Sequence, residues 1–320
     1  DWGIETLQEY TGLSRVGRKS KLGTNQRKDL WPIFEETKLL LKKRKLTTWS
    51  HIFRELNLAH DTVAQYDHVI VDEAQDISSA ELSFLARHYG KKSNGLFFAG
   101  DIGQRIFRAP FSWSSLGVDI RGKSNILKVN YRTSQQIRAQ ADLLLPKKIK
   151  DGDNQAEDRS GTISIFSGEL PRIILNDDEV SEAQIVSDWI EKQISEGIAP
   201  TEIGVFVRTE PQYKRALNAI KKSGNTGVVL NYKLDGDDSS INYGTMHLAK
   251  GLEFRSVAVI ACDHDALPLH ERMRLFTEEA DIEEVERTER QLLYVACTRA
   301  RESLLVTGVG AGSKYLYDLA

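Results

Sequence analysis

The sequence predicts an α/β fold built on mostly parallel sheets, and three observations predict it. Short β-branched or aromatic runs, such as Val69-Ile70-Val71, recur along the chain and end abruptly in polar residues or glycine. Stretches with helical spacing lie between those runs, giving the strand, loop, helix, strand order of parallel sheets. A length of 320 residues allows about two domains, each with its own core.

The elements follow in order. The first 60 or so residues read as helical: Leu39-Leu40-Leu41 follow Trp31-Pro32, with the proline suited to a first helical turn. Trp49, Ile52, Phe53 and Leu56 then recur at helical spacing. Val69-Ile70-Val71 reads as a buried parallel strand, and Leu96-Phe97-Phe98-Ala99 and Ile126-Leu127-Lys128-Val129 as two more, with helices over 79–88 and 134–145. Residues 147–161 are polar and rich in Asp and Gly, which predicts a surface loop or linker. Strands are expected again at 203–207, 228–230, 257–261 and 304–307, and a helix at 212–222. The domain boundary is placed near Arg121-Gly122-Lys123, giving domains 1–122 and 123–320.

Composition narrows the function classes. Hydrophobic content of 40% and charged content of 28% suit a water-soluble globular chain. No apolar stretch approaches a membrane span and no signal peptide is present, so the cytoplasm is the default expectation. Cys262 and Cys297 cannot form a metal site by themselves, and the seven histidines are scattered, none in zinc-ligand spacing near a cysteine. The net charge of −3 gives no global nucleic-acid signal. Charge is uneven, however. Residues 15–45 carry eleven basic residues against Asp29, Glu35 and Glu36, which suits either a phosphate backbone or a solvated helix face. Residues 278–289 hold seven acids in twelve positions and read as an exposed helix.

Five segments, read as strand ends, carry groups suited to a nucleotide. Asp72-Glu73-Ala74-Gln75-Asp76 closes the first strand. One carboxylate there can hold Mg²⁺ while the next orients or deprotonates a water; the bland reading is a solvated turn. In Gly100-Asp101-Ile102-Gly103-Gln104, Gln104 can bond either a phosphate oxygen or the attacking water. In Asn130-Tyr131-Arg132-Thr133, Tyr131 can stack on a base and Arg132 can fork onto phosphate oxygens. In the stretch 244–254, Lys250-Gly251 permits close backbone approach to an anion and Glu253 can accept from ribose hydroxyls. Thr245 and His247 there are short polar groups suited to a nucleic-acid backbone. The fifth segment, 294–301, offers Arg299 to neutralise charge on a transferring phosphoryl group.

Taken together these segments resemble the superfamily 1 helicases of the UvrD/Rep/PcrA type. The resemblance rests on "VIVDEAQD", "FFAGDIGQRIF", "LKVNYRTSQQI", "TMHLAKGLEF" and "LLYVACTRAR", in that order, over roughly residues 66–310. It implies two RecA-like parallel-sheet domains, the first incomplete at its N-terminus, with ATP and Mg²⁺ in the cleft between them and single-stranded or partly duplex DNA across their tops. Carried over by motif, Asp72 would hold Mg²⁺, Glu73 would activate water, Gln104 would sense the γ-phosphate, and Arg132 and Arg299 would reach it. Tyr131 would stack on adenine, with Gly251 and Glu253 at the nucleotide, and Phe107, Thr245 and His247 would touch DNA. The implied activity is ATP-driven 3′→5′ translocation by a monomer, in a setting such as DNA repair.

One departure matters most. Residues 117–124 satisfy the bare Gly-x-x-x-x-Gly-Lys-Ser pattern, but a phosphate loop must follow a strand and open a helix, and this string comes after the acidic motif and runs into a predicted strand. The expectation is therefore a fragment of a longer helicase, without ATPase activity on its own. The alternative is a degenerate helicase fold acting as a DNA-binding or docking subunit. Phe107 is followed by Arg108-Ala109-Pro110 rather than the family's Trp-Arg-Gly-Ala, leaving Trp113 as either a stacking replacement or core. The gap between Thr133 and Thr245 leaves no room for a large insertion domain.

Overall fold

The computed structural model describes residues 3–13, 22–59, 66–108, 111–151, 153, 156–230, 239–276 and 278–319. The chain divides into two units. The first comprises residues 1–125 and 149–157, the second 126–148 and 158–320. Where the sequence suggested a single boundary near residue 122, the chain leaves the first unit at Asn125 and returns to it at Ile149. The return has a physical anchor: the Asp153 carboxylate accepts hydrogen bonds from the Ser112 and Ser114 hydroxyls and from the Ser114 amide. These bonds also hold its pKa below the usual carboxylate range, against the opposing effect of burial. Residues 147–161 are thus not simply a loop, and include two short strands, β4 (Lys148–Lys150) and β5 (Ala156–Asp158).

The first unit opens with helices α1 (Leu7–Gly12), α2 (Thr24–Lys43) and α3 (Trp49–Leu58), as the spacing predicts. Pro32 lies inside α2 rather than in its first turn, because the helix starts eight residues earlier behind Gly23. Arg27, from the basic stretch, is buried and donates to the carbonyls of Tyr10, Thr11, Leu13 and Leu22. It therefore caps the end of α1 rather than facing a phosphate. Strands β1 (Val69–Val71) and β2 (Leu96–Phe98) pair in parallel, with Val69 opposite Leu96. Helix α4 (Ser79–Tyr89) connects them and starts on a reciprocal capping box between Ser78 and Glu81. Leu82, Phe111 and Val118 form the core, with Phe98, Leu96 and Trp113 packed against them. Trp113 meets Phe98 and Phe111 edge-on and packs, partly buried, against this core. β1 is not fully buried as expected: Ile70 and Phe97 are 74% and 62% exposed, because no described residue covers that face of the two-stranded pair.

In the second unit β3 (Val129–Asn130) is shorter than predicted and pairs with β6 (Ile163–Ser164); α5 (Gln135–Asp142) follows β3. The main sheet comprises β7 (Arg172–Asn176), β8 (Ile203–Val207), β9 (Gly227–Val229), β10 (Ile241–Thr245), β11 (Phe254–Val259) and β12 (Ala300–Val309). Its order is β7-β12-β11-β8-β10-β9 and every pairing is parallel. Helices α6 (Glu179–Ser195), α7 (Tyr213–Lys222), α8 (His270–Met273), α9 (Glu279–Cys297) and α10 (Lys314–Leu319) complete it. All five residues of β8 are buried, the near-continuous apolar run of a strand covered on both faces. Trp189, Val186 and Ile190 of α6 and Ala216, Ala219 and Ile220 of α7 share one core with β8. Truncating Trp189 there would cost about 3–5 kcal/mol. Among the described residues no helix is long and apolar enough to cross a membrane.

Candidate functional site

In the first unit the chain leaves β1 at Val71 and bends sharply. Glu73 sits in the left-handed region at φ 50°, a sparsely populated conformation for a side chain of its kind. Asp72 Oδ1 accepts from the Glu73 amide at 2.8 Å, and both carboxylates are exposed. The buried Gln75 ties this loop to the next one. Its amide nitrogen donates to the Glu73 carboxylate, and its Oε1 accepts from the Asp101 amide at 3.0 Å. A Cβ on Gly100 would lie 2.4 Å from Gln75 Oε1, so only glycine admits this contact. Asp101 in turn accepts from the Gly103 amide at 2.8 Å and from Gln104 Nε2 at 3.0 Å. The structure thus joins Asp72, Glu73 and Gln104 in one hydrogen-bonded network. Phe107 lies beyond it, exposed.

Residues 117–124 take another course. Gly117 (φ 90°) and Gly122 (φ 69°) flank a surface turn in which Arg121 clasps Asp119 at 2.8 Å, lowering the Asp119 pKa to about 2. A 3₁₀ turn precedes the string and α5 begins only at Gln135, so strand, loop and helix do not coincide there.

In the second unit, candidate groups gather at two opposite edges of the main sheet. Glu253 and Arg299 precede β11 and β12, whose first residues, Phe254 and Ala300, are paired, so both lie at the N-terminal edge. Thr133 and Ser134 reach the same edge: the Ser134 amide donates to Arg301 O at 2.9 Å and the Thr133 hydroxyl to Thr298 O at 3.5 Å. Arg132 then meets Glu253, Nε to Oε1, at 2.5 Å, with both side chains half-exposed. Tyr131 beside it is 70% exposed. Gly251 takes φ 80° with open space where a side chain would project, so its backbone can be approached closely. The segment 294–301, read as a strand end, instead spans the last turn of α9 and the start of β12. That difference decides where Arg299 goes. It is 1% exposed, and its guanidinium bonds Val295 O at 3.1 Å, Leu252 O at 3.4 Å and Thr298 Oγ1 at 3.4 Å, an arginine bracing a helix C-terminus.

Thr245 ends β10 and His247 lies two residues beyond, at the C-terminal edge. His247 is half-buried. Its pKa is lowered to about 4, first by burial and then by the charge of Arg208, against the opposing pull of Glu289. It is therefore a neutral imidazole at physiological pH. Arg208 follows β8 and grips Glu289 with two bonds of 2.6 and 2.7 Å, while Arg272 approaches the same carboxylate at 3.3 Å. Glu289 belongs to the stretch expected to be an exposed helix, but these arginines draw it inside, where none of its surface reaches solvent.

Residues 19–110 match the family model of the UvrD/REP helicase N-terminal domain, and residues 225–309 that of the UvrD-like helicase C-terminal domain. Together they span more than half of the chain. The chain belongs to the UvrD/Rep helicase family. A Mycoplasma pneumoniae protein described as "Probable DNA helicase II homolog" is 35% identical over 72 residues, covering 22% of this chain and 9% of that protein. A solved structure, the C-terminal domain of a possible DNA helicase from Lactobacillus plantarum WCFS1, is 21% identical, with a TM-score of 0.42, over 60% of this chain and 94% of its own.

Helicases of this family use ATP and Mg²⁺ generally. The exposed carboxylates of Asp72 and Glu73 are hard oxygen donors held beside a fixed turn, a donor set that fits Mg²⁺. The sequence did not assign roles to Gln75, Asp101, Arg208 or Glu289. For Gln75 and Asp101 a signal existed, since both lie inside the quoted motifs; for Arg208 and Glu289 there was none, because their pairing spans 81 positions.

Proposed function

We propose that this chain carries the hydrolytic and part of the DNA-contacting machinery of an ATP-driven DNA helicase or translocase. The observation that carries the reading is the Gln75 network, which holds Asp72, Glu73 and Gln104 at the ends of two adjacent parallel strands of a UvrD-type domain. Asp72 would hold Mg²⁺, which when bound neutralises the phosphate oxygens. Glu73 orients and deprotonates the attacking water, and its left-handed backbone fixes the direction in which that carboxylate leaves the loop. Gln104, tethered through Asp101, reports on the γ-phosphate and passes that state to the Gln75-linked loop.

Arg132 is the exposed guanidinium that meets phosphate, and Glu253 keeps it aligned until then. Tyr131 stacks on the adenine. Arg299 acts from beneath, fixing the α9 end that carries this edge. Thr245, neutral His247 and Phe107 contact single-stranded DNA by hydrogen bonds and stacking. The direction is 3′→5′, and the isolated chain hydrolyses ATP negligibly because none of its segments supplies a phosphate loop in context.

The test is Mg²⁺-dependent ATP hydrolysis by the product of the whole gene, with and without single-stranded DNA. Hydrolysis that rises with DNA supports the reading. Tight DNA binding with no hydrolysis under any condition contradicts it and favours the non-catalytic docking alternative.

A further inference from the structure

The loop that follows β11 carries a side-chain cluster that the helicase reading leaves without a role. His264, Asp265 and His270 each bring one potential ligand atom into a group lying within 4.8 Å of one another. His270 Nδ1 is 2.9 Å from Asp265 Oδ1, His264 Nδ1 is 4.0 Å from it, and the two imidazoles meet edge-on with ring centroids 4.8 Å apart. We propose that this cluster is a binding site for one borderline divalent cation of the Zn²⁺, Co²⁺ or Ni²⁺ class.

Geometry supports it first. A tetrahedral Zn²⁺ with ligand bonds of about 2.0–2.1 Å holds its donor atoms roughly 3.3 Å apart, and the two donor separations to Asp265 bracket that value. His264 and Asp265 are mostly exposed, so the side-chain rotation that closes the set meets little resistance. The backbone beneath them is already fixed. Ala266 and Leu267 donate to Asp263 O at 3.1 and 3.0 Å, and the His270 amide donates to Asp265 O at 3.2 Å. The Asp263 side chain accepts from the Val309 amide at 2.9 Å and pairs with Arg215. A cation therefore need not order the loop in order to bind it.

The donor set supplies the class. Two imidazoles and one carboxylate suit borderline transition ions, whereas Mg²⁺ prefers oxygen alone, so the cluster differs in kind from the Asp72 and Glu73 pair. Three protein ligands leave a fourth position open to water. His270 Nδ1 already lies 2.9 Å from Asp265 Oδ1, and a bound cation would sit between these two donor atoms. The ion would staple the loop to α8, the helix that also carries Arg272 to Glu289.

The test uses untagged chain stripped with chelator and titrated calorimetrically with ZnCl₂ at pH 7.5 in excess Mg²⁺. One saturable site per chain is expected, with Co²⁺ at the same site giving visible d–d bands. His264→Ala and His270→Ala should each weaken binding by about tenfold or more, Asp265→Asn should weaken it while keeping the loop, and His51→Ala on α3 should leave it unchanged. No saturable binding at millimolar Zn²⁺, or affinity unchanged in both histidine variants with their apo thermal transitions intact, overturns the proposal.

Discussion

In the first unit the candidate groups lie within two short loops, whose hydrogen bonds run from Glu73 through Gln75 to Asp101 and Gln104. In the second unit the N-terminal edge is assembled from far apart: Thr133 reaches Thr298 across 165 positions. The first arrangement depends on backbone fit, with one glycine and one left-handed glutamate. The second depends on a six-stranded sheet bringing its strand starts into register. A local loop can be damaged without unfolding anything, whereas the distant edges stand or fall with the core that aligns them.

Four substitutions test that contrast, taken in decreasing order of effect. Glu289→Ala leaves Arg208 buried without its partner and should destabilise the second unit by about 3–5 kcal/mol, read as a lower urea midpoint. Gly100→Ala pushes a methyl against Gln75 Oε1 and should cost about 1–3 kcal/mol of first-unit stability. It should reduce hydrolysis by the whole gene product more than it reduces DNA binding. Arg132→Ala should weaken ATP affinity by about 1.5–3 kcal/mol, as expected for a charge-assisted hydrogen bond, and leave the melting temperature nearly unchanged because its pair with Glu253 is half-exposed.

His247→Gln has the smallest effect, and it depends on pH. The folded pKa, about 4, lies below the ordinary 6.5, so the folded state resists protonation. The stability this imidazole contributes is complete above pH 6.5 and is lost as pH falls through about 4. The variant should therefore lose less stability than the wild type between pH 7 and 4. DNA affinity should be flat from pH 8 to 6, since His247 makes its contact uncharged.

The sequence announced β1, β2, β8 and α4 because each is a local pattern, an apolar run or a helical stretch between two such runs, that needs no distant partner. Asp72, Glu73 and Gln104 were singled out for the same reason, since each follows closely on such a run. What it could not announce was set by tertiary pairing. Glu289 looked like one more acid on a solvated helix until Arg208 met it. Arg299 was read as reaching a phosphate, and its burial against the end of α9 is set by a helix end that its own motif does not encode. The exposure of Ile70 depends on which elements cover β1, which no residue within the strand encodes. His264 and His270 were passed over because spacing was judged against cysteine, while an intervening turn brought them together.

The most direct test of the central claim is a side-by-side measurement of wild type and Glu73→Gln in the whole gene product, reading DNA binding and DNA-stimulated ATP hydrolysis together. The account predicts unchanged DNA affinity and hydrolysis reduced by about 10²–10⁴-fold. Hydrolysis that survives the substitution at near wild-type rate would contradict it.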